Sequence, residues 1–246
     1  MPDDLTRRDF VALAAATGLL GQSLPLPSIP AAGATKPAGT VVLFQGDSIT
    51  DGLRARADER PNSSPALGTG YPLLIASAVL RAQPARGWQF FNRALSGDKV
   101  PDMVDRWDGD TLALKPDVLS VLVGVNDFWH KRMYGYTGTV ADFETAFTAL
   151  LERTRKALPV ARFVVLEPFV LRTGAVDGTW FPEFTERQLA AGRVARRVGA
   201  TFVTLQAVFD DLAAKTGPAY WAADGVHPTP AGHAVIAERW RATVGL

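Results

Sequence analysis

Two short clusters at opposite ends of the chain carry residue types that can move an acyl group. The first, Gly46-Asp47-Ser48-Ile49-Thr50, follows the apolar run Val41-Val42-Leu43-Phe44. A serine delivered by a buried strand into a glycine-containing turn stands at the carboxyl end of a sheet, where open α/β folds assemble their sites. Its hydroxyl is inert until a base removes the proton. The second cluster, Asp224-Gly225-Val226-His227, supplies an imidazole as that base and, at Asp224, a carboxylate to orient it. Pro228 biases His227 toward extended backbone, so the ring is expected on a loop ahead of a helix opened by Thr229 and Pro230. Singly, a turn serine and an isolated histidine are ordinary structural residues. Ser48, His227 and Asp224 together point to nucleophilic catalysis.

Attack on an ester carbonyl creates an oxyanion, which needs hydrogen-bond donors already in place. Three fall at the ends of expected strands: the backbone N–H of Ser48, the backbone N–H of Gly97 and the side-chain amide of Asn126. Glycine permits close backbone approach, and asparagine offers an uncharged donor that keeps its proton. Of the other histidines, His130 is read as a loop residue able to touch substrate. His233, in the first turns of the last helix, is read as packing against or bonding to the catalytic loop. Asp224, His227 and His233 have metal-ligand chemistry but no recognised ligand spacing, so neither a metal nor another cofactor is expected.

These residues need a scaffold that gathers them. Apolar runs predict strands at 41–45, 88–92, 117–123, 162–167 and 200–204, and helical periodicity predicts helices near 70–83, 100–113, 139–157, 184–198, 205–215 and 230–243. Such alternation implies a parallel sheet with helices on both faces. The loops after the strands then collect along one edge, which brings Ser48, Gly97, Asn126 and the Asp224 to His227 segment together.

Composition narrows the partners. A chain of 246 residues with ordinary apolar content suits one catalytic domain. It has no cysteine, which excludes disulfides and thiolate chemistry. The formal charge is +1 without a long basic run, so nucleic acid is not an expected partner. A small net charge and many loop aromatics are compatible with a homo-oligomer. Thr6-Arg7-Arg8-Asp9-Phe10-Val11, an apolar stretch to Leu20 and a small-residue tail ending Ala32-Gly33-Ala34 read as a twin-arginine-type signal over residues 1–34. The expected location is periplasmic or extracellular, the domain 35–246 carrying the catalysis. The apolar stretch is too short to span a bilayer comfortably, so no integral membrane anchor is expected after processing.

The four ordered blocks Gly46-Asp47-Ser48, Asn92 to Gly97, Gly124-Val125-Asn126-Asp127 and Asp224-Gly225-Val226-His227 resemble those of the SGNH, or GDSL-type, hydrolases. The resemblance implies a flavodoxin-like three-layer α/β/α sandwich with a five-stranded parallel sheet. It also implies Ser48 as nucleophile, Gly97 and Asn126 as oxyanion donors, and Asp224 with His227 completing a triad. Leu67-Gly68-Thr69-Gly70-Tyr71, Arg106-Trp107, Lys115-Pro116-Asp117 and Asn126-Asp127-Phe128-Trp129 look like the branch containing acetylxylan esterases. Two positions depart from the pattern: Asp98 replaces an expected asparagine and Ala94 an expected glycine. A carboxylate beside an oxyanion donor opposes charge build-up unless it points away or is paired. Aromatic rings suit the apolar faces of sugars, and Tyr71, Trp129 and Trp221, with Asp47, are expected as substrate contacts. The expected activity is removal of O-acetyl groups from carbohydrate, acetylated xylan or xylo-oligosaccharides foremost. Alternatives are a lipolytic esterase, thioesterase or lysophospholipase on the same fold, and a non-catalytic carbohydrate-binding protein.

Overall fold

Strand β1 (Val41–Gly46) is buried along its whole length. Its unbroken apolar run requires this, since a strand without alternation must be covered on both faces. In the computed structural model, which describes residues 39–246, four more strands join it: β2 (Gln89–Asn92), β3 (Val118–Leu122), β4 (Arg162–Leu166) and β5 (Thr201–Val203). All pairings are parallel and the order is β2-β1-β3-β4-β5. The segment read as a leader, residues 1–34, lies outside the described residues.

The helices are α1 (Ser48–Asp51), α2 (Ser64–Leu67), α3 (Tyr71–Ala82), α4 (Val100–Trp107), α5 (Val125–Tyr134), α6 (Val140–Ala157), α7 (Glu183–Arg197), α8 (Gln206–Thr216) and α9 (Pro230–Val244). Each face of the sheet has its own core. Phe44, Phe90 and Val164 pack with Ile75 of α3 and Trp240 of α9 on one side. Leu43, Leu119 and Phe163 pack with Trp107 of α4, Phe147 of α6 and Val194 of α7 on the other. The result is a three-layer α/β/α sandwich. Helix α9 is also pinned from within, where the buried Trp240 Nε1–H donates to Ser120 Oγ of β3 at 3.0 Å.

The chain passes from β1 to β2 on one side and then crosses to β3 on the other. The crevice between β1 and β3 is therefore the topological switch point, where doubly wound sheets place their sites. Gly46 pairs with Leu122 at the carboxyl ends of these strands, which sets the starts of α1 and α5 side by side. Gly46 has φ +146°, and a Cβ there would lie 2.1 Å from the Leu122 carbonyl oxygen. Only glycine lets the two strand ends approach this closely.

Two readings of the sequence change. The helix expected over 100–113 ends at Trp107 and continues through a wider turn, Asp108–Leu112. His130, expected on a loop, lies on α5. The mixed aromatic and charged residues of α5 give no clean apolar stripe. Its ends are nevertheless marked by Asp127 in the first turn, Lys131 and Arg132 in the last, and left-handed Gly135 as the stop.

Candidate active site

Ser48 is the first residue of α1, so its amide is one that a helix leaves without an intrahelical acceptor. Asp47 caps this turn by accepting from the Ile49 amide at 3.1 Å. Ser48 Oγ lies 2.8 Å from His227 Nε2, and His227 Nδ1 lies 2.6 Å from Asp224 Oδ2. The other Asp224 oxygen accepts from the amides of Val226 and His227 at 2.9 and 2.7 Å. Burial pushes the Asp224 carboxyl up, but the His227 ring and these two amides outweigh it and hold the group below its ordinary value. An ionised Asp224 can only accept, so Nδ1 carries the proton and Nε2 of the neutral ring accepts from Ser48. The side chains of His227 and Asp224 are 44% and 42% exposed, leaving the chain of bonds open to solvent.

The three residues expected to supply donors line one cavity. Gly97 and Asn126 line a cavity of about 260 Å³ with Ser48, Trp129, His130 and Tyr134. Gly97 has φ +91°, and its Cα faces open space with His130 Cε1 4.0 Å from an added Cβ. Asn126 is buried, and its Nδ2–H donates to the Asp98 carbonyl oxygen at 3.1 Å. A second cavity of about 550 Å³ shares Ser48, Ser96 and His227 and is otherwise lined by Leu53, Thr69, Pro228, Pro230 and His233 among others. Ser48 thus stands where two lobes join. A separate cavity of about 580 Å³, lined by Leu171, Arg172, Phe181 and Gln206, contains none of the expected site residues.

The carboxylate beside Gly97 is paired. Arg106 donates through Nε to Asp98 Oδ2 at 2.7 Å and ion-pairs with it through a terminal nitrogen at 2.6 Å. Burial pushes the Asp98 carboxyl up, and Arg106 opposes that. The same guanidinium donates to Gln45 Oε1 at 2.9 Å, to the Arg93 carbonyl at 2.7 Å and to the Gly46 carbonyl at 3.5 Å. Arg106 therefore ties the Gly97–Asp98 turn to the end of β1. From the other side, Asp51 Oδ2 accepts from the Ser96 amide at 3.0 Å. Asn92 Nδ2 reaches the carbonyls of Thr50 and Leu67 at 2.7 and 3.0 Å.

Three of the four expected substrate contacts are corrected. Tyr71 is fully buried, with its hydroxyl 2.9 Å from Thr50 Oγ1, and it belongs to the core. Asp47 is 1% exposed and serves as the cap of α1. Burial pushes its carboxyl up to about 8, with Asp127 and Asp98 adding to the rise against the Ile49 amide. Trp221 lines neither lobe; its indole donates to Thr216 Oγ1 at 2.8 Å, and its carbonyl accepts from the Thr229 amide below the His227 loop. Only Trp129 faces the site, its ring centroid 5.8 Å from that of His227.

Asp127, given no role from sequence, is buried and caps the start of α4 through the Val100 amide at 3.3 Å. Burial pushes it up to about 6, against the Val100 amide, Arg187 and Lys99. The sequence places Asp127 and Arg106 in motif blocks but does not show that either is held among other polar groups in the fold. For Asp127 the one usable signal is its place next to Asn126 after a strand. Among the described residues, no group of three His, Cys, Asp or Glu side chains gathers to hold a metal ion.

The family model of GDSL-like lipases and acylhydrolases matches residues 44–235, a span that contains every residue of this site. The chain belongs to that family. The esterase is 31% identical over 220 residues to an acetylxylan esterase of Geobacillus stearothermophilus, covering 85% of its own length and 95% of the relative's. Among solved structures, a candidate GDSL-like lipase from Parabacteroides merdae superposes with a TM-score of 0.83 at 39% identity, over 86% of this chain and 98% of the other. The acetylxylan esterase Axe2 of Geobacillus stearothermophilus superposes with a TM-score of 0.76 at 28% identity, over 87% and 97%. These likenesses make the protein a carboxylic ester hydrolase on the SGNH fold.

Proposed function

We propose that the esterase removes acetyl groups from carbohydrates, acetylated xylan or xylo-oligosaccharides foremost, through an acetyl-Ser48 intermediate. The observation that carries this reading is the compact lobe of about 260 Å³ that holds Gly97 and Asn126 and is flanked by Trp129. An acyl group whose carbonyl oxygen points at those donors has room for a short chain there. The acetylxylan esterase among its relatives supports the same substrate class.

In this mechanism His227 Nε2 takes the Ser48 proton as Oγ bonds to the carbonyl carbon. The resulting oxyanion receives hydrogen bonds from the Ser48 and Gly97 amides and from Asn126. Collapse breaks the bond to the sugar oxygen, which leaves with the proton from His227. Water then gives a proton to the same nitrogen while attacking the acetyl carbon, and acetate departs as Ser48 recovers its proton. Asp224 keeps the ring in the required tautomer throughout and does not itself take the proton.

Acetate release from acetylated xylo-oligosaccharides, compared with a series of acetyl to octanoyl esters of one alcohol, tests the reading. Preference for acetyl and release from the sugar support it; faster cleavage of octanoyl esters favours a lipolytic enzyme. Residues 1–34 are proposed as an export leader. Intact residues 1–34 on the protein recovered from the periplasm or medium would reject that role.

A further inference from the structure

The mechanism leaves two histidines of the cleft unused, His130 in the smaller lobe and His233 in the larger. His233, on the first turns of α9, lines the larger lobe together with Ser48 and His227. Its Nδ1 accepts from the Tyr71 amide at 3.2 Å, and its ring lies nearly parallel to that of Tyr71 at 28°. An amide N–H can only donate, so Nδ1 bears no proton and the proton of the neutral ring is on Nε2. Among the described residues Nε2–H has no protein acceptor, yet it is not one of the buried polar atoms sealed without a partner. It is a donor of fixed tautomer on a side chain that lines the cavity. Burial, and secondarily the nearby His227, hold the ring down at about 4, so it stays neutral near pH 7.

The oxyanion must face Gly97 and Asn126, which line only the smaller lobe, while His227, which returns the proton to the leaving oxygen, lines both. With the acetyl group in the smaller lobe, as proposed above, the larger one is left for the departing alcohol. The prolines at 228 and 230 and His233 line that larger lobe.

We infer that the larger lobe is the leaving-group subsite and that His233 Nε2–H donates a hydrogen bond to an oxygen neighbouring the scissile ester. The ligand class is a polyol acetate, a sugar ring with a hydroxyl or ring oxygen next to the acetylated carbon. The inference rests on the proposed acetyl transfer through Ser48. A donor placed against such an oxygen discriminates strongly, because an alcohol without it leaves the donor unpaired.

The test compares kcat/KM for a methyl xyloside monoacetate with that for cyclohexyl acetate, a ring of the same size without neighbouring oxygens. His233→Asn keeps a side-chain oxygen near the Nδ1 position for the Tyr71 amide and removes the Nε2–H. His233→Gln carries an amide N–H toward the Nε2 position. The xyloside-to-cyclohexyl ratio should fall about tenfold or more in His233→Asn and recover at least in part in His233→Gln. A ratio in His233→Asn within twofold of wild type, or an equal fall in both variants, overturns the assignment of His233. A wild-type enzyme that prefers cyclohexyl acetate overturns the carbohydrate reading itself, and the subsite with it.

Discussion

The two sides of Ser48 are built in opposite ways. On one side His227 and Asp224 stand on a loop, nearly half exposed, and are held by two short hydrogen bonds and two backbone amides. On the other, Asn126 is buried, and the Gly97 turn is braced by Asp51 from one direction and Arg106 from another. The groups that shuttle protons must meet both substrate and water, and one chain of bonds suffices to orient them. The groups that receive developing charge must not move as it appears, which demands fixed and largely dry support. That support is itself made of carboxylates, which would repel an oxyanion if left charged. Asp98 is neutralised by Arg106, and burial raises Asp47 until it keeps its proton at neutral pH.

The contrast breaks most visibly on the open side. Ser48→Ala removes the nucleophile, and turnover of phenyl acetate should fall by roughly four orders of magnitude or more. Near-normal rates would remove Ser48 from the mechanism. Asp224→Asn keeps the shape of the loop but can present an amide N–H to Nδ1, which favours the wrong tautomer. A drop of about 10³ to 10⁴ in kcat is expected, with the melting temperature little changed. A loss below tenfold would mean that the Asp224 carboxylate is not what sets the tautomer of the His227 ring.

The open side was also the legible side. Serine after an apolar strand and histidine before proline are local patterns, and the strand-helix alternation that brings them together is a periodic one. All five strands and the six longer predicted helices appear within a few residues of their expected places, α4 stopping earlier than its pattern. The supporting side depends on burial, which a linear chain does not display. Asp47 and Tyr71 look like polar and aromatic groups available to a sugar, yet one caps α1 and the other fills the core. Trp221 sits near His227 in sequence but turns its indole to Thr216. Arg106 could be noticed in sequence, but its bonds to Asp98, Gln45 and the carbonyls of residues 46 and 93 exist only in the folded chain.

Arg106 offers the next test. Arg106→Met leaves the Asp98 carboxyl without its counter-ion and frees the Gly97 turn from β1, so kcat should fall about 10- to 100-fold while KM changes far less. Arg106→Lys restores the charge but not the planar fork, and should recover only part of the loss. An increase in KM with kcat preserved would assign Arg106 to substrate binding.

The smallest effect concerns the proton on Asp47 and is read in stability. Its folded pKa, about 8, stands above the ordinary carboxylate value of 3.8, so the folded state binds a proton more tightly than the unfolded chain does. The associated stability is fully present below the unfolded value and is lost as pH rises through about 8. Asp127, raised to about 6, acts in the same direction over the lower part of that window. Asp47→Asn is nearly isosteric with the neutral acid and retains an oxygen for the Ile49 amide. It should therefore melt close to wild type below pH 3.8 and become progressively the more stable of the two as pH rises to about 8, with a shallower decline between. Parallel melting curves for the two proteins across this range would show that Asp47 gives up its proton without cost, and that the braced side of the site tolerates a buried charge next to its oxyanion.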